Sequence, residues 1–163
     1  NLTDRERTLG PDHPSTLSSR NNLANTLSGL GEHRQAADLH RQNLTDRERT
    51  LGPDHPNTLS SRNNLAVALD NLGEHRQAAD LHRQNLTDRE RTLGPDHPST
   101  LSSRNNLANT LSGLGEHQQA ADLYRRNLTD RERTLGPDHP HTLGSRNNLA
   151  SALSRLGEHR QAA

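Results

Sequence analysis

The block NLTDRERTLGPDHP appears four times without change, beginning at Asn1, Asn43, Asn85 and Asn127. A chain that copies itself every 42 residues is an array of small units rather than one globular core. The questions are then what a single unit folds into and how it meets the next. Three full units and part of a fourth fit in the 163 residues.

Two punctuation marks recur in each unit, LGPDHP and LGEH, and both stretches between them have helical spacing. The first, from about Pro14 to Leu30, places Leu17, Leu23, Ala24, Leu27 and Leu30 on one stripe. Pro14 suits a first turn, whose N–H would be unpaired anyway, and Gly31 suits a left-handed stop. Asp12 or His13 would cap this helix. The second stretch starts near His33 and runs through Ala36, Ala37, Leu39, Leu44 and Leu51 until Gly52 and Pro53 end it. TDRE at Thr45 has the form of a capping box, but no breaker precedes it and the Leu stripe continues across it, so it reads as helix interior.

Two helices joined by so short a turn lie antiparallel, and one hairpin cannot bury both of its Leu stripes. Stacking identical hairpins does. A lone unit, whose ordering entropy exceeds what a single pair of stripes returns, should be unfolded. Composition agrees that repetition is needed. Leu accounts for 27 residues, Val67 and Tyr124 stand alone, and Phe, Trp, Met, Ile and Cys are absent. So thin an apolar content leans towards disorder when net charge is high, but here 20 Arg balance 20 acidic residues.

The same composition narrows the function. Without Cys there is no disulfide scaffold and no thiolate chemistry, which fits a cytoplasmic protein. No apolar run is long enough for a membrane span or a signal-peptide core. Each Arg is diluted by a nearby Asp or Glu, so no basic stripe exists to follow a nucleic acid backbone. HExxH, GxSxG and a phosphate-cradling Gly loop are all missing, and every carboxylate recurs from copy to copy, which suits a scaffold better than an enzyme. No cofactor is implied. The copies of His13 in GPDHP, and the pair His139 and His141, invite a metal, but a 42-residue translation separates the copies too widely for one ion. The NLT triplets match the glycosylation rule yet fall inside a helix.

At NNLANTLSGLGEHRQAADLHRQNL the sequence resembles a tetratricopeptide repeat, with Leu23, Ala24, Leu27, Gly31, Ala36 and Leu44 on its pattern of small and large apolar positions. The nearest variety is the lengthened 42-residue form of kinesin light chains and many bacterial signalling proteins, which is similar in its GxDHP-type join and NNLA-type segment. The resemblance implies an all-α fold of the α-solenoid class, a right-handed superhelix of antiparallel helix hairpins, and a role in holding other proteins. A single array would then cover 1–163: the end of a second helix and a join in 1–13, full helix pairs in 14–55, 56–97 and 98–139, and a partial unit in 140–163. The chain departs from the family where a bulky aromatic is usual, with Arg20 in the first helix and His40 or His82 in the second, Tyr124 alone being aromatic. Asn43 replaces the small residue that normally follows. His40, Asn43 and Arg47 all fall in the second helix's apolar stripe, so the core should be partly polar, with a ladder of Asn and Arg between units.

Copies compared with one another vary at nine columns, six of them in the first helix at Ser15, Ser18, Asn25, Thr26, Ser28 and Gly29. All six are expected opposite the Leu stripe. In the same sector the pairs Asn21 and Asn22, Asn63 and Asn64, Asn105 and Asn106, and Asn147 and Asn148 stay fixed. The resemblance implies that first helices line a concave groove and that these Asn hold a bound peptide. An Asn amide both donates and accepts, as gripping a main chain requires. Fixed Asn would hold backbone, while variable positions such as Asn25 and Asn109 would choose side chains. The competing reading has the Asn pairs bonding adjacent repeats and the other positions drifting. The expected partner is thus a protein or peptide. Self-assembly is the alternative: residues 1–9 read as the latter half of a second helix and GEHRQAA as the opening of one, so copies could stack head to tail.

Overall fold

The structure is a computed structural model that describes residues 2–157. Eight helices and no strand are present among them: α1 (Leu2–Leu9), α2 (Pro14–Gly29), α3 (His33–Leu51), α4 (Pro56–Asn71), α5 (His75–Leu93), α6 (Pro98–Gly113), α7 (His117–Leu135) and α8 (Pro140–Arg155). The second helix expected to open in GEHRQAA lies, from Glu158 on, outside the described residues. No helix among the described residues is long and apolar enough to cross a membrane.

Local chemistry sets these boundaries. Each first helix is capped by its join histidine: His13 Nδ1 accepts from the Ser15 N–H at 3.1 Å, and His55, His97 and His139 repeat the bond to Asn57, Ser99 and His141. Of the two candidate caps, His13 is therefore the one used, with Pro14 in the first turn behind it. At the other end Gly31 takes φ +85°, which lets the Glu32 N–H reach back to the Leu27 carbonyl at 2.9 Å. The hydroxyl of Thr45 bonds the Arg41 carbonyl one turn earlier, so TDRE is helix interior.

The helices fall into two compact units, one up to Leu81 and one from His82, the division lying within α5. In the first unit α2 packs on α3 and α3 on α4, two antiparallel pairs sharing a helix. Ala37, Leu44, Leu65, Ala68, Leu69 and Ala78 form its apolar core, flanked by Leu72 and Leu81. In the second unit α6 packs on α7 and α7 on α8, around Leu101, Leu107, Ala108, Leu111, Ala120, Ala121, Tyr124 and Leu153. Stacked hairpins of this kind are the α-solenoid arrangement expected from the repeat.

The expected Leu stripe needs correcting at its edges. Leu30 is 73% exposed because it is the C-cap of α2, where the chain already turns away. Leu23 is 40% exposed although its copies Leu65 and Leu107 are buried.

The polar core is present, with a different wiring from the ladder expected. Asn43, Asn85 and Asn127 are fully buried, but only Asn85 has a bond among them, donating from Nδ2 to Ser103 Oγ at 3.3 Å; both amide atoms of Asn43 and of Asn127 lack a partner. Arginine does the linking. Arg20 reaches Glu6 on α1 at 3.1 Å and Asp46 on α3 at 2.5 Å, and Arg104 likewise reaches Glu90 at 2.9 Å and Asp130 at 2.6 Å. Burial works against the charge of Arg20, but its hydrogen bonds to Asp46 and Glu6 outweigh that and hold its pKa above the ordinary value.

Candidate functional site

Two sets of recurring polar side chains stand out. The first is the TDRER segment of the second helix. Asp46 receives Arg20, Arg47 donates to the Asn57 carbonyl and Ser61 Oγ at 3.0 Å each, Glu48 pairs with Arg62 at 3.0 Å, and Arg49 pairs with Asp12 in the preceding join. The second unit repeats the pattern: Asp130 receives Arg104, Arg131 donates to the His141 carbonyl and Ser145 Oγ, Glu132 pairs with Arg146, and Arg133 pairs with Asp96. Burial lowers the pKa of Arg47 and of Arg131, since neither has a carboxylate against it. Arg47 and Glu48 thus clamp α3 to the first helix of the next pair, while Asp46 and Arg49 hold it to α2 and the join that precedes α2. TDRER, the same in every copy, therefore makes structural contacts in both units.

The second set lies on the outward side of the first helices. Asn64 Nδ2 donates to Asn21 Oδ1 at 2.8 Å, from α4 to α2, and Asn148 Nδ2 donates to Asn105 Oδ1 at 2.8 Å, from α8 to α6. The second Asn of one copy is bonded to the first Asn of the copy before it. These four side chains are half-buried, as are Asn63 and Asn106, whereas Asn22, Asn25, Asn109 and Asn147 are exposed. Each Asn–Asn bond uses one amide hydrogen of the later copy and one carbonyl oxygen of the earlier one. Sequence alone offered the Asn either to a ligand or to the neighbouring repeat; the structure puts Asn21, Asn64, Asn105 and Asn148 in repeat-to-repeat bonds.

The variable columns divide as well. Val67, aligned with Asn25 and Asn109, is 40% exposed, and the column of Gly29, Asn71, Gly113 and Arg155 is exposed throughout. The Thr26 column corrects the expectation that all six face outward, because Ala68, Thr110 and Ala152 are buried. It lies at the margin of the Leu stripe, where Ala and Thr differ little in size. Ser112 is also buried, under Arg155, whose Nη1 donates to Ser112 Oγ at 2.7 Å.

Tyr124 was outside the set of residues marked in the sequence as contacting a ligand, yet it joins this face. Its hydroxyl donates to Asn109 Oδ1 at 2.5 Å, and burial raises its pKa, so the phenol stays neutral. The departure from His40 and His82 at this column was the available signal. The join histidines cap helices, and the rings of His139 and His141 sit 5.3 Å apart. No cluster of three or more metal-ligating side chains occurs among the described residues.

Compared with known proteins, residues 16–57, 58–99 and 100–141 each match the model of the tetratricopeptide repeat. No curated protein matches the chain. Among solved structures, a single-substitution form of a kinesin light chain protein of Podosopora anserina with nearly identical TPR-like repeats superposes with a TM-score of 0.90 at 31% identity, over 99% of this chain and 76% of that one. A second structure of that protein gives 0.85 at 32% identity, over 92% and 71%. BtubC (BKLC) from P. vanneervenii gives 0.81 at 19% identity, over 90% of this chain and 59% of that one, a likeness of fold.

Proposed function

Because the chain belongs to the tetratricopeptide repeat family, whose members generally mediate protein–protein interaction or scaffolding, we propose that it is a protein-binding module that holds an extended peptide along the outward face of its first helices. The observation that carries this reading is the pair of Asn–Asn bonds, Asn64 to Asn21 and Asn148 to Asn105. Each fixes two amides on an accessible face at a spacing set by the repeat. A peptide main chain presents alternating N–H and C=O groups, and pre-oriented amides meet them with little ordering cost. Asn22, Asn25, Asn109 and Asn147 then offer exposed amides beside each bonded pair, and Val67 an apolar contact.

The same bonds favour a second reading, in which they serve only to staple one repeat to the next. Peptides selected for binding from a random library separate the two. Replacing the exposed Asn22, Asn25 and Asn147 by Ala, which leaves both Asn–Asn bonds and the Tyr124–Asn109 bond intact, should weaken the selected peptides at least tenfold while the melting temperature stays within a few degrees. Undiminished affinity in that variant would leave the Asn pairs with the stapling role alone.

A further inference from the structure

Two pairs of helices in this chain are identical throughout their length. Helices α3 and α5 are both HRQAADLHRQNLTDRERTL, and α2 and α6 are both PSTLSSRNNLANTLSG. In the first unit α3 docks α4: Arg47 Nη1 donates to the Asn57 carbonyl and to Ser61 Oγ at 3.0 Å each, and Glu48 accepts from Arg62 at 3.0 Å. In the second unit the end of α5 docks α6 through the same groups, Arg89 donating to the Ser99 carbonyl at 2.9 Å and Glu90 accepting from Arg104 at 2.9 Å. Helix α7 repeats the arrangement on α8, where Arg131 donates to the His141 carbonyl at 2.8 Å and to Ser145 Oγ at 2.9 Å.

One helix sequence thus receives α4 in one place and α6 in another. Choice between partners is a difference of affinities, and specific interfaces enforce it with a clash or a like-charge contact against the wrong one. Among the described residues no such device separates the copies at this contact. The serine and arginine that meet the clamp, Ser61 and Arg62 in α4, recur at the same two columns of every first helix. The column of Asn57 does vary, to Ser99 in α6 and His141 in α8, but the clamp uses its backbone carbonyl, which any residue supplies. That α3 takes α4 within the molecule follows from connectivity: the four residues 52–55 join them and hold α4 at an effective concentration on the order of mM.

We propose that this surface also takes the first helix of a second copy of the chain, so that molecules opening side by side close on one another as exchanged oligomers. Exchange of matching elements between molecules is a low-cost route to assembly, because the contacts of the product are those of the monomer. The product is held by the same clamps and comes apart only when they unfold. Its one added cost is the loss of the tether, which falls as the concentration of chains approaches the effective concentration set by the join. Because α4, α6 and α8 are all received through the same groups, exchange is not tied to one register and gives a series of oligomers instead of a single dimer. The surface lies inside the array and is reached by opening it, which separates it from head-to-tail stacking of array ends and from the peptide-binding face.

The test uses the full chain, which has no Lys, so that an amine-reactive dye marks only its N-terminus. Donor- and acceptor-labelled samples are unfolded in urea and refolded by dialysis, either together or separately with mixing afterwards, at micromolar and at near-millimolar chain concentration. Size-exclusion chromatography with light scattering should find monomer after micromolar refolding and a ladder of oligomers after near-millimolar refolding. Those oligomers should keep the helical circular dichroism of the monomer and persist on dilution. Energy transfer within them should be at least tenfold stronger after refolding together than after mixing. Monomer alone at both concentrations would overturn the proposal, as would equal transfer in the mixed sample, which marks ordinary surface association. Oligomers that lose the helical signal would overturn it as aggregates, and a single dimer would overturn it by showing that the copies distinguish one register from another.

Discussion

Arg104 Nη1 donates to Asp130 Oδ2 at 2.6 Å with the guanidinium wholly shielded from solvent, at a position where tetratricopeptide repeats usually carry a bulky aromatic. Its head ties α6 to α7 through Asp130 and to α5 through Glu90. One side chain thus replaces an apolar wedge by a three-helix ion bridge.

Removing a buried member of such a bridge costs about 3–5 kcal/mol, and Arg104→Ala should show a loss of that order in urea unfolding. Arg146 occupies the same column in α8 but is 50% exposed and pairs with Glu132 alone. Arg146→Ala should cost less than about 1 kcal/mol, as exposed pairs do. Equal losses at the two positions would show that burial is not what gives Arg104 its weight.

The buried His40 makes stability depend on pH. Burial lowers its pKa from 6.5, and its Nδ1 has no partner. The unfolded chain therefore binds a proton at a pH where the folded chain does not, so the contribution of His40 is complete above pH 6.5 and is lost as pH falls below it. Melting temperature should be flat above neutrality and decline from there downward. In the third copy Tyr124 fills this column and bonds Asn109, the counterpart of Asn25. His40→Tyr should accordingly reduce the acid-side decline and raise stability at pH values below the ordinary His pKa of about 6.5. An unchanged pH profile in that variant would assign the decline to other groups.

Asn127 is fully enclosed with neither amide atom paired. An unmet buried polar group costs about 1–3 kcal/mol, and the family's usual small residue at this column removes the penalty. Asn127→Ala should therefore raise stability by about 1 kcal/mol in urea unfolding. A fall instead would mean that the amide's packing outweighs its missing bonds.

How much of this was legible in the sequence depended on whether a feature is local. Helix ends were, because the Pro14 and Gly31 rules act within one turn, and α3 begins and ends where His33 and Leu51 were marked. The core stripe was legible for Leu17, Ala24 and the Leu23 column, buried at Leu65 and Leu107, and failed for Leu30, the C-cap where the chain turns away. Asn43 and Arg47 were both recognised as polar groups of the apolar stripe, but which of them finds a partner depends on side-chain reach across helices. The long Arg spans that gap and the short Asn does not. The meaning of TDRER was missed for the same reason. Only the packed helices show that Asp46 and Arg49 face Arg20 and Asp12 on one side and that Arg47 and Glu48 face Ser61 and Arg62 on the other. At the candidate site the Asn columns were found from their constancy, while the bond from Asn64 to Asn21 links residues 43 positions apart and leaves no trace in either segment's pattern.

All of these contacts express one claim: a helix pair of this chain is too weakly cored to fold by itself and is ordered by the clamps and Leu faces of the pair beside it. Circular dichroism and urea unfolding of peptides carrying one, two and three tandem copies of residues 56–97 measure that coupling directly. The single copy should be largely unfolded, and midpoint and cooperativity should rise with each copy added. A single copy that melts cooperatively as a monomer, with two and three copies no more stable, would contradict the account.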